Sequence, residues 1–150
     1  MIELDPEKYV MGQDRAALQW VAEQTREPNR FTPKATTLCI KAKNGARAVA
    51  VYDFWKPAHQ TMAIAIAGEL GWVSRGAIKV ILAAPFAMLP VNRLHCIIHK
   101  KNKASRRLVE GVGFVREGVL KEFWGPGRGD AVTYRLLRSE WEKGRFHYGK

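Results

Sequence analysis

The chain has 150 residues, 47% of them hydrophobic and 26% charged, which fits one globular domain and excludes an intrinsically disordered chain. Twenty-five Lys and Arg against fourteen Asp and Glu give a net charge of +11, so polyanionic partners come first: nucleic acid, an anionic surface or a phosphate-rich small molecule. Two cysteines, Cys39 and Cys96, make no disulfide framework, and no Cys/His spacing fits zinc, so no metal is expected.

The opening MIELDPEKYV is acidic and mixed, which predicts no secretory or transit peptide. The longest nearly uncharged stretch, residues 59–68, is too short to span a bilayer, and a reducing cytoplasm is the expected compartment. Charge is uneven along the chain. Residues 1–30 hold four basic and six acidic side chains, and residues 31–150 hold 21 basic and eight acidic ones.

Ala17, Leu18, Val21 and Ala22 fall at helical spacing and predict a helix over residues 14–25, started by Gln13 or Asp14. Pro28 and Pro33 mark a loop. Residues 36–43 (TTLCIKAK) alternate as a strand, Asn44-Gly45 predicts a two-residue hairpin turn, and residues 47–54 return. Lys56-Pro57 breaks that strand. Residues 61–67 (TMAIAIA) form a third strand, apolar enough for the middle of a sheet.

Ser74 predicts an N-cap for a long helix whose apolar positions run Ile78, Ile81, Leu82, Phe86 and Leu89. Pro85 should kink it or tighten its last turn. RLHCIIH (residues 93–99) is a strand. Asn102 opens a short helix with Leu108, Val109 and Val112 inward, and Gly113 ends it by a left-handed cap. Residues 115–124 are a strand, 125–130 (GPGRGD) a turn, 131–137 (AVTYRLL) the returning strand, and Ser139 caps a last turn through Trp141. The order α, β-β-β, α, β, α, β-β predicts an α/β fold, a mixed central sheet flanked by helices.

NKASRRLVEGVGFVREGVL (residues 102–120) resembles the N-x-x-S-x-x-L-x-x-x-x-GF-x-x-EG-x-L signature of GNAT acetyltransferases. It is most similar to their ribosomal-protein N-terminal acetyltransferase branch. Residues 85–94 (PF-x-x-L-x-x-x-RL) and GDAVTYRLLRSEW (129–141) are similar to the flanking family segments. GWVSRG…PF also resembles GNAT-fold proteins of bacteriophages and prophages, which extends the expected location to a host cytoplasm or virion. The resemblance implies the GNAT acyl-CoA N-acyltransferase fold over one domain. Its parts would be an N-terminal helical region (1–35), a core (36–141) and a C-terminal tail (142–150).

The resemblance further implies acetyl-CoA as co-substrate and a primary amine as acceptor: a protein N-terminus, a lysine or a small amine. Ser74, Arg75 and Gly76 at a helix N-terminus would receive the diphosphate. The family pattern Q/R-x-x-G-x-G/A is replaced here by Glu69, Trp72 and Ser74, with Gly71 or Gly76 as possible compensation. Asn102 would contact the cofactor arm, or act only as a helix cap. Ser105 would return a proton to the leaving thiolate, or be a solvated helix serine. The tyrosine many relatives use falls at Val109.

Glu69 is a candidate proton acceptor, or an exposed loop carboxylate. Backbone N–H groups near Ala67 and Leu70 would polarise the thioester carbonyl. Lys100, Lys101, Lys103, Arg106 and Arg107, together with Arg75, read as a clamp for CoA phosphates, as a nucleic-acid or ribosome surface, or as a solvated basic face. His95 and His99 read as strand histidines, Cys96 as a core residue, and Trp124 and Tyr134 as groove or core aromatics. The acidic excess of residues 1–30 favours a cationic acceptor. A catalytically silent GNAT-fold module and a basic nucleic-acid binder are the competing readings.

Overall fold

A computed structural model describes residues 3–27 and 30–147. Pro28, expected to mark a loop, lies outside them. Seven strands form one mixed sheet in the order β1-β2-β3-β4-β5-β7-β6. In chain order these are β1 (Tyr9–Gly12), β2 (Thr36–Lys41), β3 (Arg47–Lys56), β4 (Thr61–Gly68), β5 (Arg93–His99), β6 (Val115–Leu120) and β7 (Ala131–Leu137). Neighbours pair antiparallel except β4 with β5, which run parallel. The apolar 61–67 run does occupy the middle of the sheet.

The helices are α1 (Arg15–Gln24), α2 (Arg75–Met88), α3 (Lys103–Val112) and α4 (Arg138–Lys143). The Asp14 carboxylate caps α1 by accepting from the Ala17 N–H at 3.0 Å. On one face of the sheet, α1 covers Val49 and Val51 with Ala17 and Val21. The opposite face carries the larger core, where α2 packs Ile78, Ile81, Leu82 and Phe86 over Leu38, Tyr52, Ile64 and Leu94. Trp141 of α4 stacks on Phe86 at 5.0 Å. Arg138 caps the far end of α2, donating to the carbonyls of Val91 at 2.9 Å and Leu89 at 3.1 Å. Among the described residues no helix is long and apolar enough to cross a membrane.

Four expectations change. Residues 9–12 form an edge strand on β2, which four residues of mixed polarity do not announce. The β2–β3 turn is wider than two residues: Gly45 N–H donates to the Ala42 carbonyl at 2.9 Å, and Gly45 alone there has positive φ (85°). The strand expected over residues 115–124 stops at Leu120, because Glu122 turns the chain at φ 48°. Ser139 lies inside α4 and is not its cap. Glu140 Oε1 accepts the Leu137 N–H at 2.8 Å instead.

Pro85 stays inside α2. It has no N–H to give the Ile81 carbonyl one turn earlier. The Tyr52 hydroxyl donates to that carbonyl at 2.6 Å from the sheet. Burial pushes the Tyr52 hydroxyl pKa far up, so it remains a donor throughout the stable pH range. Tyr52→Phe leaves a buried carbonyl unsatisfied and should cost about 1–3 kcal/mol in urea unfolding. In a Pro85→Ala background, where the helix regains its own donor, the same change should cost clearly less.

Candidate functional site

The parallel pairing of β4 and β5 lasts only from Thr61–Arg93 to Ala63–His95. Each strand keeps its other neighbour beyond that point, β3 for β4 and β7 for β5. The two therefore diverge, leaving backbone polar groups on the facing edges with no ladder partner. A cleft of about 780 Å³ occupies the opening. Ile78, Ile81 and Leu82 of α2 and Leu108 and Val109 of α3 line it from one face of the sheet. Thr25, Arg26 and Arg30, just after α1, line it from the other, so it passes through the sheet. Ligand sites favour such breaks in a sheet, with mostly apolar walls and a few polar groups.

Asn102, Ser105 and Lys101 line the α3 end of the cleft. The Asn102 side chain accepts from the Ser105 N–H at 3.2 Å, so it is a true N-cap. Leu108, Val109 and Val112 face inward as expected, but only half-buried, because the cleft lies beneath them. Gly113 ends the helix with φ 120°.

Ser74 caps α2 through the Ala77 N–H at 3.1 Å. The preceding backbone N–H groups of Arg75 and Gly76 belong to the first turn, where helices have no internal acceptor. They stand one turn above Ile78 at the cleft and are exposed. A Cβ built on Gly76 meets only the Tyr9 hydroxyl, at 3.8 Å, so the backbone there is open to close approach. Trp72 does not fill this space. Its ring is buried in the main core and lies flat over Gly68, where a Cβ would come within 2.2 Å of it.

Glu69 turns away from the cleft. It accepts the Arg47 backbone N–H at 2.7 Å and pairs with the Arg47 guanidinium at 3.3 Å. Those bonds hold its carboxyl below the usual range. Neither Glu69 nor the fully exposed Leu70 lines the cleft. The unusual loop is thus accommodated: its aromatic ring is in the core, its carboxylate is neutralised, and a helix N-terminus is left clear. These residues fit a diphosphate followed by an extended arm in the cleft.

The basic cluster divides. Lys101 lines the cleft. Arg106 is tied to the protein, donating to the Tyr134 hydroxyl at 3.1 Å and the Lys100 carbonyl at 2.9 Å. Arg107 is exposed and not part of the lining. Arg75 donates to the Arg145 carbonyl at 3.0 Å and stacks over Phe146. Tyr134 is a core residue whose hydroxyl also donates to Glu110 at 3.2 Å.

A second cavity of about 230 Å³ adjoins the cleft on the α1 face. Asp53, nearly fully buried, accepts from the Thr32 N–H (2.7 Å), the Thr32 hydroxyl (2.6 Å) and the Phe54 N–H (2.8 Å). This clasp fastens the segment after Arg30 onto β3. Phe54 sits at φ 58°, a strained conformation for a bulky residue, beside the β3 bulge. Phe31, Phe54, Phe123 and Trp124 line the cavity, and Arg30 lines both spaces.

Of the two strand histidines, His99 is structural. Its Nδ1 accepts from the Lys101 N–H at 3.1 Å, and its Nε2 meets the Arg128 carbonyl at 3.0 Å, which assigns the proton to Nε2. His95 sits at the last β4–β5 pair and lines the second cavity. Its Nδ1 is buried with no hydrogen-bond partner. Burial first, and Arg93 second, pull its pKa below 6.5, against the opposing charge of Glu117. Cys96 lines both spaces, but burial pushes its thiol up to about 12, so it is no nucleophile.

Arg30, Asp53 and Arg128 carry no motif, and only the fold brings them to the cavities. His95 and Trp124 were visible as types, but not in their present setting.

No protein-family model matches the sequence, and no curated relative does. The likeness is to solved structures. The spermidine/spermine N-acetyltransferase SpeG from Vibrio cholerae superposes with a TM-score of 0.67 at 14% identity, covering 91% of this chain and 96% of that one. A chimera of that SpeG with hSSAT gives 0.69 at 16% identity, covering 91% and 99%. Likeness at this level establishes the fold, which is that of the GNAT acetyltransferases.

Gly68→Ala drives a methyl into the Trp72 ring and should destabilise the protein by at least about 1–3 kcal/mol. Denaturant midpoints of Gly68→Ala, Trp72→Ala and the double variant check the contact. The double variant should lose less than the sum of the two single losses.

Proposed function

We propose that this chain is an acetyl-CoA-dependent N-acetyltransferase acting on a primary amine. The observation that carries the reading is the cleft through the β4–β5 divergence, with a free helix N-terminus at one end and His95 beside the other. Acetyl-CoA would supply an activated acetyl carbonyl and leave as a thiol.

The residues take separable roles. The Arg75 and Gly76 N–H groups hold the diphosphate at the positive end of α2. The open edge of β4 from Ile64 onward pairs with the amide-bearing arm and donates to the thioester oxygen. Asn102 fixes the start of α3 and with Lys101 borders the arm. Ser105 returns a proton to the departing sulfur. His95, neutral at physiological pH because burial disfavours its charge, takes a proton from the incoming ammonium. Glu69, held by Arg47, has no such role. The nitrogen lone pair then forms the C–N bond as the C–S bond breaks, and two opposed arms of one cleft bring the reactants into line.

Calorimetric titration with acetyl-CoA tests the reading: binding at micromolar to sub-millimolar cofactor is expected, and none at millimolar would refute it. Ser105→Ala should lower kcat by about tenfold with little change in KM. For His95 the sign is set by the neutral base. The midpoint of the acid-side fall in rate should therefore lie below pH 6.5, on the side to which burial moves the histidine. His95→Gln should reduce kcat by about a hundredfold and remove that acid limb. A log kcat against pH series on both proteins reads this directly.

A further inference from the structure

The charge lining the acceptor side is opposite to what the acidic N-terminal composition led one to expect. Around the cleft stand Arg26, Arg30, Lys101 and Arg128, against one carboxylate, Glu27. Glu27 is already paired with Arg30 at 3.3 Å. The other acidic side chain nearby, Asp53 in the smaller cavity, has both oxygens engaged by the Thr32 and Phe54 donors. Among the described residues, the one carboxylate lining the main cleft is therefore already ion-paired. Among the described residues, Arg26, Lys101 and Arg128 make no ion pair.

Arg30 is the centre of this arrangement. Its side chain is only 19% exposed, and it borders both spaces. It lies over the Phe31 ring at 5.4 Å, which fixes its plane. Its ion pair runs through Nε, so the terminal nitrogens keep donors to offer. A guanidinium held this way prefers a planar carboxylate. Beyond it the smaller cavity is walled by Phe31, Phe54, Phe123 and Trp124, rings that suit an apolar side chain better than a charged one.

We infer that the acceptor is a small amino-carboxylate with an apolar or aromatic side chain, not a polyamine. This rests on the acetyltransferase reading and narrows its acceptor. The carboxylate meets Arg30, the side chain lies among the aromatic rings, and the amine reaches His95 and the acetyl carbonyl at the strand divergence. The reaction balances: the ammonium loses one proton to His95 before attack and a second as the amide forms, the acetyl group passes from sulfur to nitrogen, and the second proton reaches the departing thiolate by way of Ser105. A polyamine would set several positive charges against a cleft lining of four cations and a single carboxylate, which Arg30 already holds.

Matched pairs test this, each differing by one carboxylate: L-phenylalanine and phenethylamine, L-leucine and isoamylamine, L-tryptophan and tryptamine, with spermidine as the polycation. Thiol release from acetyl-CoA should favour the amino acid by about tenfold or more in kcat/KM in at least one pair, and spermidine should be the poorest acceptor. Arg30→Gln should raise KM for that amino acid about tenfold and should not raise it for its decarboxylated partner, with Arg30→Lys intermediate. Equal or better turnover of the amines, or spermidine as the best acceptor, overturns the inference. Calorimetry of the same compounds on the protein without acetyl-CoA separates the two claims. Amino-acid binding without cofactor binding refutes the acetyltransferase reading and keeps the acceptor class, and cofactor binding with no preference for the carboxylate does the reverse.

Discussion

The single constraint from which the rest follows is that a parallel strand pair is abandoned after three residues. β4 is bound along its length to β3, and β5 to β7, so neither can follow the other past Ala63 and His95. The unpaired backbone edges that result would be costly if sealed in a core. Here they open into a cleft instead. The apolar surfaces of α2 and α3 make its walls, so the same residues that stabilise the helices define the ligand volume. That is why α3 is half-buried although its sequence is strongly amphipathic. Its apolar stripe faces a space rather than a packed layer.

Much of this was legible in the sequence, because local rules govern it. Asp14, Ser74 and Asn102 start the helices they were expected to start, since each carries the acceptor that a helix N-terminus lacks. The GF and EG spacing resembles the family well enough to imply the fold, which the structure has. The parts that went astray depend on distant partners. β1 exists because β2 offers it an edge, and nothing in four residues of mixed polarity says so. The tight hairpin expected at Asn44-Gly45 is relaxed into a wider turn, and Asn44 instead donates to the Gly71 carbonyl across the loop at 3.3 Å.

The candidate site divides in the same way. Asn102, Ser105 and Lys101 are close in sequence and arrive together at the cleft. Glu69 looked suited to chemistry, but its fate was settled by Arg47, on the neighbouring strand β3. Arg30 and Asp53 belong to segments with no signature and come to line one cavity because Thr32 is clasped to β3. Net charge was similarly ambiguous. The composition of residues 1–30 pointed one way, while the side chains that reach the cavity from that region, Arg26 and Arg30 with Glu27, point the other.

The bond from Tyr52 to Ile81 has a consequence beyond the energy it contributes. Most helix–sheet contacts are apolar and tolerate sliding, since one aliphatic ridge fits a groove about as well as the next. A lone hydroxyl meeting the one carbonyl orphaned by a proline tolerates none: moving α2 by a turn would strand both groups at once. The pair therefore works as a register pin. It fixes how far α2 extends along the sheet, and hence where its first turn, about 9 Å of helix rise before Ile81, stands relative to the open strand edge. Alignment of the two ends of the cleft is in this sense set from the middle of the helix, by a bond that Tyr52 makes from the sheet.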